Sequence, residues 1–261
     1  MPALRLHKDF QRVRNLPFCY LCGRDLAEGD EVDGDHVPPK ATFNARDRQP
    51  ALKLQTHKQC NGALSVDDKK IAQLIALRRR QGPSSARDAA LRLTLYPSIG
   101  VGVTNIDVEQ AVWRWIRGFH AALYREPLLT NWRAIVTPFP RAEMMNGVPQ
   151  VRPLREQHSL AVSVIKYNRL TGNLDEIVAN NNQLRYQCVW CEDDSGKRWF
   201  CMFALDIYDW KDLGSHTAEI PARGCAGVYA RQDYLAPTNA TIGKRPVIEV
   251  PNSDALDPFG P

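Results

Sequence analysis

The chain has 261 residues, 44% of them hydrophobic and 24% charged, a balance that fits one large globular domain or two small ones and excludes a disordered chain. The opening MPALRLHKDFQRVR has no apolar run behind its basic residues, and charges interrupt every apolar run well short of the ~18 residues that a membrane helix needs, so the expectation is a cytoplasmic protein without membrane partners. The formal net charge of +5 is unevenly placed: residues 1–82 carry 15 Lys and Arg against 10 Asp and Glu, and the remainder carries 19 of each, so the excess charge that would attract a polyanion lies in the first third.

HKDFQRVRN at 7–15 predicts a short helix closed by Pro17. FCYLCGRDL follows, with a Cys-x-x-Cys and an immediate glycine, the pattern of a tight turn that aims two thiolates at one point. EVDGDHVP alternates and predicts a strand or hairpin edge ending near His36; residues 40–51 are loop-like, and LKLQT is a second candidate strand. HKQCNGALSVDDKKIAQLIALRRR predicts a helix with a break near Gly62 and a new N-terminus at Ser65. QGPSS at 81–85 predicts a linker, SARDAALRLTLY at 85–96 a helix, and Asp107 the start of a long helix whose apolar stripe is Val112, Trp115, Ile116, Phe119 and Leu123. RAIVTPF, LAVSVIKYN, LRYQCVWCE and RWFCMFALDIY predict strands, DDSGK a hairpin loop, and PNSDALDPFGP a frayed tail. The expected architecture is α+β: a zinc module at 1–82, a helical connector at 83–128, and a mainly antiparallel β region at 129–261.

Seven cysteines, an odd number, argue against a disulfide framework. Cys19-x-x-Cys22 and His57-x-x-Cys60 are two ligand pairs with equal gaps, and three thiolates with one imidazole suit tetrahedral Zn2+. Because protein groups fill all four positions, such a zinc is structural and would staple a module too small to rely on its core. Cys188-x-x-Cys191 is different. It lies in a strand-like run whose alternation sends the two thiols to opposite faces, which opposes a second zinc with Cys201 and Cys225.

CYLCGRDL, DGDHVPPK and LKLQTHKQCN together resemble the HNH (ββα-metal) endonucleases, in the subgroup stapled by two ligand pairs, over about residues 15–82. The resemblance implies phosphodiester hydrolysis, with DNA as the expected nucleic-acid partner. It implies His36 as the general base, with Asp35 and Asn61 as ligands of a catalytic Mg2+ or Mn2+. The chemistry agrees: an imidazole with a reference pKa near ~6.5 can accept the proton of an attacking water, and Mg2+ takes one or two protein oxygens while keeping several waters. The sequence departs from the family where a middle Asn usually orients the histidine; Ala51-Leu52-Lys53 stands there, leaving Asn44, Gln55 or Thr56 as candidates. His57 stands where a cysteine is commoner.

Lys40, Lys58, Arg78, Arg79 and Arg80 are candidate phosphate contacts, the arginine run being equally a solvated helix end. Asp33 shares the face of Asp35 and reads either as a further metal neighbour or as a solvated turn residue. Asp67 and Asp68 read as dipole-favouring residues of a helix start, with a site role as the alternative. His120 lies on an apolar helix face and reads as a core or partner residue. The C-terminal region is a candidate surface for a homodimer or an accessory protein. The alternative function is a zinc-dependent nucleic-acid-binding or assembly protein with a non-catalytic HNH module.

Overall fold

The computed structural model describes residues 2–63, 65–78, 91–96, 100–103, 106–128, 132–137, 141–145, 148–152, 156–192, 198–208 and 225–231. Strand β1 (Ala3–Leu4) leads into helix α1 (His7–Val13), where the Asp9 carboxylate accepts from the Leu6 backbone N–H at 2.9 Å and so caps the first turn. Strands β2 (Val32–His36) and β3 (Lys53–His57) pair antiparallel, with His36 opposite Lys53 and Asp33 opposite Thr56. Helix α2 (Lys58–Gly62) starts directly from β3, and α3 (Ser65–Arg78) follows it. This is the ββα order expected for the N-terminal part, with the helical run divided after Gly62.

Beyond it lie the paired strands β4 (Leu93–Tyr96) and β5 (Gly100–Val103), then helix α4 (Val108–Tyr124) and strand β6 (Trp132–Thr137). The helix predicted across 85–96 is corrected at its end: LTLY is a strand, because its β-branched and aromatic residues pair with the glycine-spaced GVGV. Residues 81–90 lie outside the described residues. Strands β7 (Arg141–Met145) and β8 (Val148–Arg152) pair with each other.

LAVSVIKYN, predicted as a strand, lies within helix α5 (Glu156–Thr171). Its valines and isoleucine favour a strand locally, but Ala161 and Ile165 stand one helical turn apart and are both buried, and Ala161 packs with Met202, Ala226 and Val228 on a sheet face. That sheet is built from β9 (Asp175–Ala179), β10 (Leu184–Glu192), β11 (Arg198–Ile207) and β12 (Cys225–Arg231), in the order β1-β9-β10-β11-β12-β6. All its pairings are antiparallel except the first, β1 with β9. The predicted DDSGK loop and the tail lie outside the described residues.

Alternation along the strands sorts the sheet into two faces. Met202, Ala226 and Val228 meet α5, while Tyr186, Cys188, Cys201, Phe203 and Tyr229 belong to the core that contains α4. Asp107 caps α4 by accepting from the Gln110 N–H at 2.9 Å, and Arg125, at φ 58°, ends it. Residues 111–123 of α4 are all buried. The stripe Val112, Trp115, Ile116, Phe119 and Leu123 packs as predicted, but the opposite side is covered as well, because α4 lies between the large sheet and the N-terminal part.

The N-terminal part is tied to the rest through that core. Leu4 joins the large sheet, Phe43 packs on Tyr208 at 5.8 Å between ring centroids, and the Tyr208 hydroxyl accepts from the Asn44 backbone N–H at 2.8 Å. Gly118 of α4 lies so close to the residue that follows β2 that a Cβ there would stand 2.8 Å from Val37 Cγ1, and it would stand 3.2 Å from Tyr20 Cε2. Among the described residues no helix is long and apolar enough to cross a membrane.

Candidate functional site

The first ligand pair is held by a knuckle. Phe18 bridges Asp25, the Cys19 N–H donates to the Arg24 carbonyl at 2.8 Å, and the Gly23 N–H donates to the Cys19 carbonyl at 2.7 Å. Gly23 has φ 75°, a conformation that a side chain disfavours, which explains a glycine directly after Cys22. The second pair comes from a strand end and the helix after it: His57 closes β3 and Cys60 lies in α2. The ligand atoms of Cys19, Cys22, His57 and Cys60 all lie within 4.8 Å of one another. This group can hold a metal ion, and its chemistry is that of zinc.

The electrostatics point the same way. Burial pushes the Cys60 thiol up to about 12, and the neighbouring Cys19 and Cys22 charges push in the same direction. Burial also raises Cys19. At Cys22 burial acts upward too, but the backbone and side chain of Arg24 and the ring of His57 outweigh it and bring the thiol down to about 7. Three thiolates this close repel one another without a central cation, and a divalent ion removes that cost. The His57 ring presents Nδ1 toward Cys22 Sγ at 3.4 Å and Nε2 toward Asp30 Oδ2 at 3.3 Å. A carboxylate on the far nitrogen is the arrangement that fixes a metal-binding imidazole. Asp30 is a supporting residue that spacing alone does not reveal.

The second half of the predicted site is arranged differently from expectation. Alternation on β2 places Asp33 and Asp35 on one face, and Gly34 and His36 on the other. Asp35 is 5% exposed and accepts a 2.5 Å hydrogen bond from the Tyr20 hydroxyl. Burial raises its carboxyl to about 6, against the pull of the Arg114 guanidinium and the Tyr20 hydrogen bond. Arg114 of α4 forms a salt bridge with Asp68 of α3, so Tyr20, Asp35, Arg114 and Asp68 make one buried polar cluster. Asn61 meets a different carboxylate: its amide donates to Asp33 Oδ2 at 3.3 Å. Asp35 and Asn61 therefore have separate partners, and the carboxylate beside Asn61 is that of exposed Asp33.

His36 is half-buried. Burial lowers its pKa, and the ammonium groups of Lys53 and Lys40 lower it further, with Asp33 opposing and Arg14 adding a smaller push. The ring is thus held in its neutral, proton-accepting form at neutral pH. Among the described residues no side chain hydrogen-bonds it. Of the three residues considered for that task, Asn44 precedes a 3-10 turn at residues 45–47 and the Thr56 hydroxyl points to the Asp33 carbonyl at 3.5 Å, while Gln55, opposite Gly34, shares the His36 face without a hydrogen bond to the ring.

Of the predicted phosphate contacts, Lys40 is exposed and acts on His36, whereas Lys58 is ion-paired with Glu31 at 3.2 Å. Arg78 is the last residue of α3; Arg79 and Arg80 lie outside the described residues. Lys53 and Arg14 were not singled out by the sequence, since each lies in an ordinary alternating or helical context.

In the second cysteine group, Cys188 pairs opposite Phe203 and is buried, while Cys191 pairs opposite Phe200 and is half-buried. His120 is fully buried in a box of aromatic rings formed by Tyr124, Trp132, Trp190 and Tyr229, with centroids 4.8 to 5.9 Å away. Its ring nitrogens meet the Tyr229 hydroxyl at 3.1 Å and Glu126 at 3.0 Å. Comparisons with protein-family models, with curated proteins and with solved structures return no match.

Proposed function

We propose that this protein is an endonuclease that hydrolyses phosphodiester bonds, with DNA as its substrate, on a finger stapled by one structural zinc. The observation that carries the reading is the Cys19, Cys22, His57, Cys60 group at the base of a ββα unit whose first strand ends on a neutral, half-buried histidine ringed by cations. His36 takes the proton from the attacking water; its depressed pKa keeps it in the form that can do so. Lys40 faces the incoming phosphate. Asp33 and Asn61 hold the catalytic Mg2+ or Mn2+, since one carboxylate and one amide oxygen suit a cation that keeps most of its waters; the Asn61 amide turns over to present its oxygen. That cation supplies charge neutralisation at the phosphoryl oxygens. Asp35 is unsuited to ligate it, because its carboxylate is buried and already engaged by Tyr20 and Arg114.

The test is cleavage of supercoiled plasmid by the zinc-loaded full chain with Mg2+ or Mn2+, beside His36→Ala at unchanged zinc content. Nicking or linearisation by the wild type alone supports the reading. Absence of cleavage on DNA and RNA with either cation overturns it. The second reading, a binding module without catalysis, is favoured by one observation, the unpartnered His36 ring, and it predicts binding to nucleic acid with no cleavage.

A further inference from the structure

We infer that Lys53 is the phosphate-gripping residue of this site, delivered across β2 through a gap that Gly34 keeps open; the inference rests on the nuclease reading above and names the residue that contacts its substrate. A Cβ built on Gly34 would stand 2.0 Å from Lys53 Cε, 2.9 Å from its Nζ and 3.1 Å from its Cδ. The lysine stem therefore lies directly over the glycine. Lys53 pairs opposite His36 and Gly34 opposite Gln55, so Gly34, His36 and Lys53 share one face of the two-stranded sheet. Among charged groups the Lys53 ammonium has the largest influence on the His36 ring.

The surroundings explain what this arrangement is for. A half-buried lysine usually lies near a carboxylate, and several cations of this chain do pair: Lys58 with Glu31, Lys70 with Asp67, Arg12 with Asp9. Among the described residues Lys53, Lys40 and Arg14 have no ion-pair partner, and all three act on His36. Of the two carboxylates of β2, Asp35 is buried under Tyr20, and only exposed Asp33 acts on the His36 ring, one carboxylate against three cations. A set of unneutralised cations around a neutral imidazole selects a polyanion whose phosphates are spaced along a chain, the phosphodiester backbone of a nucleic acid. Lys53 is the member whose path is built into the backbone, so it fixes where a phosphate rests relative to the imidazole.

The obstruction at Gly34 comes from the far end of a flexible side chain, and no positive φ marks this glycine. Gly34→Ala therefore displaces Lys53 while leaving the charge and the fold unchanged. The experiment measures binding of zinc-loaded His36→Ala protein to labelled duplex DNA, and to RNA of the same sequence, across a salt series in buffer with neither chelator nor added Mg2+ or Mn2+. Adding Lys53→Ala is expected to weaken binding about five- to tenfold at 0.1 M salt and to reduce the slope of log affinity against log salt by about 0.9, the signature of one lost phosphate contact. Gly34→Ala is expected to show the same two effects with every charge retained, and Lys166→Ala, on α5, neither. Whichever of the two nucleic acids binds more tightly identifies the backbone source. Unchanged affinity and slope in Lys53→Ala, with the parent binding normally, overturns this inference and leaves the nuclease reading standing. Normal binding by Gly34→Ala overturns the crossing. Absence of salt-dependent binding in the parent overturns both readings.

Discussion

Replacing Arg114 by methionine should destabilise the protein in a pH-dependent way. Arg114 and Asp68 have side chains only 6% and 19% exposed, so this is not a surface ion pair of negligible worth. Breaking a buried pair by removing one partner costs about 3–5 kcal/mol, and here the guanidinium also faces Asp35. A ceiling applies, because the stranded carboxyls can take up protons. Burial already holds Asp35 near about 6, and loss of Arg114, which pulls both Asp35 and Asp68 down, raises them further. A carboxyl with a raised folded pKa binds protons more readily in the native state than in the unfolded one. Its cost therefore builds as pH rises from the unfolded value to the folded one, is complete above the folded value, and fades as pH falls back below it. The expected deficit of Arg114→Met is about 3 kcal/mol at pH 8.5 and about 1 kcal/mol at pH 6. For a chain of this size that corresponds to a melting temperature lowered by roughly 6–12 °C at pH 8.5 and by roughly a third of that at pH 6. The assay is thermal unfolding of the zinc-loaded variant and wild type at the two pH values. A deficit equal at both, or none at either, would refute the reasoning that Arg114 serves as counter-ion to the two carboxylates.

Further outcomes follow from neighbouring features. Gly118→Ala should lower stability by about 1–2 kcal/mol in a denaturant titration, because a Cβ 2.8 Å from Val37 overpacks the contact by more than the helix-propensity gain returns. Cys60→Ala, or chelation of the wild type, should abolish one bound zinc per chain by elemental mass spectrometry and collapse the N-terminal fold by circular dichroism, since structural zinc sites contribute about 10–16 kcal/mol, comparable to the whole stability of a domain. The cleavage rate of the wild type should be flat near neutral pH and fall about tenfold per unit on the acid side, with a midpoint below the ordinary ~6.5, because burial and Lys53 hold His36 neutral to lower pH. A midpoint above that value would contradict the assigned environment.

The parts legible in the sequence are those set by local rules. The two ligand pairs, the strand ending at His36, the capped α4 and its stripe each follow from spacing, alternation or a cap within one segment. LAVSVIKYN forms a helix although its β-branched residues favour strands locally, because the packing of Ala161 against Met202 and Val228 decides the matter from far along the chain. The exchange of Asp35 for Asp33 beside Asn61 was illegible for the same reason. Asp35 is claimed by Tyr20, 15 residues earlier, and by Arg114, on a helix that no local pattern assigns to it. Lys53 could not be singled out without knowing the strand register that lays it over Gly34.

The most direct test of the central claim is chemical rescue at His36. Single-turnover cleavage of a labelled DNA duplex by zinc-loaded His36→Gly with Mg2+ should fall by about 10²–10⁴-fold and recover in part on addition of free imidazole, because an external base can occupy the space the ring leaves. Undiminished cleavage by His36→Gly would contradict the account.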